Sequence, residues 1–214
     1  VKEINKVVLA TTTNDDDDPL IEFAENNSIS YFRGSENDVL ERFYLSALQE
    51  KADHIMRITS DCPLIDSSIC SHLIKVYKQM DVDFVHTGSS FAEGLDCEIF
   101  TFQALKEAYS NAKLSSEREH VTMYLHNNPE KFKKYTLENN TDDSRYRFTL
   151  DQDEDYQVIC AIIESLAVQN IALTTNNIKV FLDNNREIFN LNQNILRNEG
   201  LQKSLNNDSM LVFD

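Results

Sequence analysis

At 214 residues the chain can bury one sizeable hydrophobic core and barely two. Hydrophobic residues make up 41%, which fits a globular fold and argues against disorder, and no run of about 18 apolar residues is present to span a membrane. The formal net charge of −16 repels polyanions, so no nucleic-acid partner is expected; a nucleotide is still admissible if carboxylates hold a divalent cation that carries its phosphates.

The N-terminal stretch VKEINKVVLATTT lacks a signal peptide's long apolar core and cleavage site, and it lacks an initiating Met, as a processed product or a fragment would. Ile4 to Thr12 reads as a strand, with Val7, Val8 and Leu9 too apolar for an exposed edge. Asp15 to Asp18 resembles a metal cluster, but these side chains precede Pro19, and negative charge at a helix N-terminus is the simpler account. Pro19 to Asn26 reads as a short helix, Ile29 to Arg33 as a strand, and Asp38 to Lys51 as an amphipathic helix with Val39, Leu40, Phe43, Ala47 and Leu48 inward. His54 to Ser60 is a strand that breaks at Asp61-Cys62-Pro63. Ser67 to Met80 is a helix, Phe84 to Thr87 and Leu95 to Phe100 are strands, and Phe102 to Ala112 and Glu119 to Asn127 are helices. Tyr135 to Glu138 and Arg145 to Leu150 read as strands. Asp153 to Val168 is a helix with Tyr156, Ile159, Ile162, Ile163 and Leu166 inward, and Asn177 to Phe189 is one more helix.

Strands alternating with helices indicate βαβ units and an α/β fold with a largely parallel sheet. One domain over residues 1–190, followed by a loosely packed polar tail over 191–214, is the economical division. Only four glycines occur, and neither GxGxxG nor a Walker A loop is present. The cysteines, Cys62, Cys70, Cys97 and Cys160, form no CxxC pair, and reduced thiols in a cytoplasmic protein are the simplest reading.

Several constellations can carry chemistry. Asp61 ends one strand, and Asp151 follows the strand-like RYRFTL; if those strands run parallel, both carboxylates lie on one sheet edge and suit Mg²⁺. Taken alone, Asp151 reads equally well as a helix N-cap. In RGSENDVLERF, which opens at Arg33, Gly34 and Ser35 form a turn ahead of a helix capped by Asp38 or Asn37, with Arg42 one turn inside. Such a turn offers backbone N–H groups to an anion, although a plain turn and cap is the commoner use. In GLDCEIF, Asp96 and Glu98 share a strand face. In EREHVT, Arg118 suits a carboxylate, and His120 is either a base or a structural hydrogen-bonder. Cys62 has no neighbouring His to activate it as a nucleophile.

FRGSENDVLERF, RITSDCPLID, GLDCEIF, EREHVTMYLHNNPEKF and FTLDQDEDYQVI, in that order, resemble the cytidylyltransferase family, in particular its spore-coat polysaccharide biosynthesis F-like members, related to CMP-KDO and CMP-acylneuraminate synthetases. The tail NQNILRNEGLQKSL resembles an extension seen in many members. The resemblance implies a nucleotide-diphospho-sugar transferase-like, Rossmann-like three-layer sandwich with a mixed, mostly parallel sheet. It implies transfer of CMP from CTP to a sugar acid with release of pyrophosphate, Mg²⁺ as cofactor, a role in surface polysaccharide synthesis, and a homodimer. By resemblance Asp61 and Asp151 are the catalytic, metal-binding carboxylates. Arg33, Gly34, Ser35, Asp38 and Arg42 surround the nucleotide, and Asp96, Glu98, Arg118 and His120 line the sugar side. Ser60 replaces a usual Gly, and Gln152-Asp153 replaces a usual Thr-Pro. The basic glycine loop resembling QARMGSTRLPGK, with its strand, has no counterpart here. Its absence predicts exposed strand edges at VVLATTT and RITS and leaves the activity of the chain as given open. A glycosyltransferase of related fold and an inactive relative serving as a binding partner are the competing readings.

Overall fold

A computed structural model describes residues 1–210, so the end of the expected tail, 211–214, lies outside the described residues. Strands β1 (Val8–Thr12) and β2 (Ser30–Gly34) pair in parallel from Val8↔Ser30 to Thr12↔Gly34, with helix α1 (Asp18–Asn26) as the crossover. Helix α2 (Val39–Glu50) leads to a separate four-stranded sheet of order β3-β5-β4-β6. Its strands are β3 (His54–Arg57), β4 (Phe84–Thr87), β5 (Glu98–Thr101) and β6 (Lys134–Leu137). Strand β5 runs against β3 and β4, while β4 and β6 are parallel, so β3, β4 and β6 share one direction. The expected mixed, mostly parallel arrangement is present, in two sheets rather than one. Among the described residues no strand pairs with the outer edges of β1 or β3. Val7, expected inside, is 68% exposed beside that open edge.

The helices are placed by ordinary capping. Asp38 caps α2 by accepting from Glu41 N at 2.8 Å. Asp66 caps α3 (Ser67–Gln79) through Ser68 N at 2.8 Å, and its second oxygen accepts from Thr175 N at 2.9 Å at the start of α8 (Thr175–Asn184), so one carboxylate fixes two helices. Thr101 caps α4 (Phe102–Asn111) through Ala104 N. The Asp15–Asp18 run stands at the helix start, with Asp17 in the N-cap position, but its carboxylate makes no capping bond and instead fastens the end of β1. Asp17 accepts from Thr11 Oγ1 (2.6 Å) and Thr12 N (2.8 Å), and Pro19 stands in the first turn of α1.

Three cores result. Leu40, Ala47, Phe84, Phe100 and Leu105 join α2 and α4 to the larger sheet. Leu73, Ile74, Val85 and Ile99 seat α3 on it. Tyr146, Phe148, Ile162, Ile178 and Leu182 form the third with α7 (Asp153–Val168) and α8.

The structure departs from the expected elements at instructive points. The single helix expected over Glu119–Asn127 is two, α5 (Ser115–Glu119) and α6 (Met123–Asn127), because His120 leaves helical geometry and fully buried Val121 turns inward. Over the strand expected at Arg145–Leu150, Arg145 lies in a turn and the rest joins no ladder: its bonds go to single residues, Glu93 (Phe148 N to its O, 2.7 Å) and Asp61 (Leu150 N to its O, 2.8 Å). In α7, Val158 faces the core, while Tyr156 and Ile163 face outward at 60% and 38% exposure. Asn185 divides the last expected helix into α8 and α9 (Arg186–Phe189). The tail is not loose over its described part. Asn192 is buried, and helix α10 (Glu199–Asn206) folds back on α5 through Ser204 Oγ to Glu119 (2.7 Å) and through Asp208, which accepts from Ser116 Oγ (2.7 Å).

Phe84 joins the first core to the site wall: it is fully buried, with ring centroids 6.3 Å from Phe100 and 5.0 Å from His126. Phe84→Ala is expected to cost about 3–5 kcal/mol of stability, read as a lowered denaturant midpoint at unchanged slope.

Candidate active site

Three extended segments each send alternate residues into one cavity of about 450 Å³. Arg57, Thr59 and Asp61 come from the end of β3; Gly94, Asp96 and Glu98 from the approach to β5; Thr149 and Asp151 from the extended segment before α7. Successive side chains of an extended chain point to opposite faces, so a spacing of two gathers them on one wall. The chain turns sharply past Asp61, with Cys62 N donating to Thr59 O at 3.2 Å. The Leu150 N to Asp61 O bond then sets Asp61 beside the segment that carries Asp151. Close approach also demands glycine at 94. Its φ is +89°, and a Cβ there would lie 2.4 Å from Thr149 N.

Asp61 and Asp151 therefore both line the cavity. The side chain of Asp61 has only the Cys62 thiol nearby, at 3.5 Å. Asp151 Oδ2 accepts from Arg147 Nη2 at 2.7 Å and Thr149 Oγ1 at 3.1 Å. Arg147 is buried and serves three carboxylates at once: Nε donates to Asp155 Oδ1 (2.8 Å), Nη1 to Glu93 Oε2 (2.7 Å), and Nη2 to both Asp151 and Asp155. Burial opposes ionisation of Asp155, but the Arg147 and Asn192 bonds outweigh it and hold its carboxyl below the usual range. Burial raises the Asp96 carboxyl, and the nearby charges of Glu93 and Glu98 add to the rise. Arg197, whose Nη2 lies 3.9 Å from Asp96, offsets part of this rise.

Glu98, which shares a strand face with Asp96 and pairs with Arg57 in the β3–β5 ladder, anchors its own side of the cavity. Its oxygens accept from Arg57 Nη1 and Thr122 Oγ1, each at 2.9 Å, and His126 Nε2 lies 3.9 Å away. Burial pushes this carboxyl up, yet His126, Arg57 and Thr122 together hold it at about 2. His120 lines the same cavity. Burial keeps its imidazole below the usual value, and its buried Nε2 has no hydrogen-bond partner. The roof is α10: Asn198, Glu199, Gly200, Leu201 and Lys203 all line the cavity.

The remaining sequence candidates lie outside this cavity. Arg33 ties off the end of β1, donating to Thr12 O (2.9 Å), Asn14 O (2.8 Å) and Asp18 (2.7 Å). Gly34 ends β2. Ser35 accepts from Asp38 N at 3.0 Å, and its carbonyl accepts from Arg42 Nη1 at 2.7 Å. Burial lowers the Arg42 pKa, and its Nε is buried without a partner. Arg118 is buried against Asp38 (2.6 Å), donates to Tyr109 O at 2.7 Å and stacks over the Tyr109 ring, pinning α5 to α2. Sequence reasoning passed over Arg57, Arg147, His126 and the α10 residues. For Arg57 and Arg147 a signal existed, since each stands four residues before its aspartate in an extended run.

An α/β frame with an acidic cavity at strand ends, closed by a helix, places the cavity where such folds gather their ligands. The cytidylyltransferase family model matches residues 1–188, and the chain belongs to that family of nucleotidyltransferases. The solved structure of a cytidylyltransferase from Leptospira borgpetersenii serovar Hardjo-bovis superposes with a TM-score of 0.79 at 36% identity, over 89% of this chain and 79% of that one. The uncharacterized protein MJ1063 of Methanocaldococcus jannaschii is 34% identical over 196 residues, 91% of this chain and 79% of that protein. The spore coat polysaccharide biosynthesis protein SpsF of Bacillus subtilis is 29% identical over 173 residues, 76% of this chain and 69% of that protein.

Glu98 makes the site wall acid-sensitive. Its folded-state value of about 2 lies below the ordinary 4.5, so it stabilises fully above pH 4.5 and progressively less as pH falls toward 2. Melting temperatures measured across that window are expected to fall for the natural chain and to fall less steeply for Glu98→Gln, which starts lower at pH 7.

Proposed function

We propose that the chain transfers CMP from CTP to a hydroxyl of a sugar acid, with Mg²⁺ held between Asp61 and Asp151 and pyrophosphate as the second product. The observation that carries this reading is the meeting of Asp61 and Asp151 in one cavity, fastened by the Leu150 N to Asp61 O bond. The donor chemistry fits the ion. Mg²⁺ takes hard oxygens, usually one or two carboxylates, and completes its shell with water and substrate phosphates. Among the described residues no group of three or more His, Cys, Asp or Glu side chains is disposed as a metal cage, so this reading rests on the two carboxylates alone. When bound, the ion supplies charge neutralisation at the phosphates.

The chain's own residues do the rest. Arg147 and Thr149 occupy one oxygen of Asp151 and so orient its carboxylate. Glu98, fixed by Arg57 and Thr122, and His120 give the sugar side fixed polar groups for hydroxyls. Helix α10 covers the cavity and limits water, which would otherwise compete with the sugar hydroxyl for the α-phosphate. Phosphoryl chemistry of this kind depends on positioning and electrostatics, so no protein nucleophile is required. SpsF, the Bacillus relative, is named for polysaccharide biosynthesis, and that supports a role in supplying activated sugars for surface glycans. A cytoplasmic site of action and a homodimer belong to the same reading.

Asp61→Asn is expected to lower metal-dependent pyrophosphate release from CTP on the order of 10²-fold or more, since electrostatic groups of this type carry such factors. Its melting temperature should stay near that of the natural chain, because the Asp61 side chain makes no structural bond beyond the Cys62 thiol. Pyrophosphate assay and separation of the nucleotide products check it; near-normal rates, or a sugar passed from a nucleotide sugar to an acceptor, would remove the assignment.

A further inference from the structure

The cavity roof and the Asp151 wall are wired together. Glu93 stands between them with both oxygens committed: Oε2 accepts from Arg147 Nη1 at 2.7 Å, and Oε1 accepts from Asn198 N at 2.7 Å, at the residue that opens α10. Arg147 in turn holds Asp151 at 2.7 Å. A continuous path thus runs Asp151, Arg147, Glu93, Asn198, and its members Arg147 and Glu93 are both buried. Beyond Asn198 the roof has a second, independent fastening, Asp208 and Ser204 on α5. The N-terminal end of α10 is therefore the end whose seating depends on Glu93, along with Arg197, which donates to Phe91 O at 2.9 Å.

We propose that Arg147 and Glu93 are positioning residues that couple cation binding at Asp151 to the seating of α10 over the cavity. This rests on the reading of Asp61 and Asp151 as the cation-binding pair. Three carboxylates share one guanidinium. A cation on Asp151 neutralises one competitor, and the Arg147 charge then bears more strongly on Asp155 and Glu93. A better-held Glu93 presents Oε1 more firmly to Asn198 N–H and closes the roof. The coupling is reciprocal, as linkage requires, so a seated roof also favours the cation.

Glu93→Gln separates this from simple packing. The side chain keeps its shape but has one oxygen for two donors, so its NH₂ must face either Arg147 or Asn198 N–H, and the path is cut. The probe is Mn²⁺ alone, with binding followed by electron paramagnetic resonance and the roof by amide hydrogen exchange of 198–206. The natural chain should exchange severalfold more slowly there when Mn²⁺ is bound. Glu93→Gln should bind Mn²⁺ and show no slowing. Ser204→Ala, which loosens only the far end of α10, should retain the slowing at 198–203 and serves if Glu93→Gln fails to fold. Mn²⁺ binding to the natural chain without any change in exchange overturns the coupling, as does equal slowing in Glu93→Gln, and both leave the two-carboxylate reading standing. No Mn²⁺ binding at all overturns that reading, and the coupling with it.

Discussion

A buried guanidinium has to be satisfied from every side, and Arg147 sets the terms for the functional half of this molecule. It joins the loop at Glu93, the extended segment before α7, the first turn of α7 through Asp155, and, by way of Asp155 and its own carbonyl, Asn192 beyond α9 (2.9 and 3.3 Å). Arginine suits the position because its planar fork reaches several oxygens in fixed directions, which a lysine cannot do. Buried ion networks are weak contributors to net stability compared with apolar packing of the same volume, whereas removal of one partner is costly. Here the network sets position: it decides where Asp151 stands relative to Asp61.

The histidines show the same economy on the other wall. His86 Nδ1 lies 3.0 Å from the Thr87 carbonyl, which can only accept, so that nitrogen carries the hydrogen. Its Nε2 is then left to accept from Thr136 Oγ1 at 3.0 Å. Burial and the neighbouring His126 keep this ring below its ordinary pKa. A neutral, fully bonded imidazole at the cavity wall supplies shape without adding charge, and the acidic character of the cavity is left to the carboxylates.

The order of elements and the placement of Asp61 and Asp151 on one cavity were legible because they rest on local signals: apolar periodicity, a turn at Pro63, and an acidic helix start. The frame of α2, α3, α4 and α7 follows from these within a residue or two at each end. What was not legible depended on long-range pairing. RYRFTL has the composition of a strand, but its partners are isolated residues of a loop and a turn, so no ladder forms. Tyr156 and Ile163 fit an inward stripe by spacing, but the third core is filled by Val158, Ile159 and Ile162 with α8. The turn Arg33–Arg42 reads in the sequence as a single local feature, whereas its charges close local loops and, through Asp38, meet Arg118 eighty residues on. The polar tail carried no apolar run, yet capping and carbonyl contacts suffice to fold it over the cavity.

The strand edges left open bear on how copies of this chain behave together. An unpaired edge is a template that accepts any extended strand, and among the described residues the outer edges of β1, β2, β3 and β6 are all unpaired, with Val7 exposed beside the first. Closed sheets keep proteins apart by geometry. Here the separation falls to the net charge of −16, whose reach shrinks to about 8 Å in physiological salt. Added salt therefore weakens the long-range repulsion that opposes edge-to-edge approach of two copies.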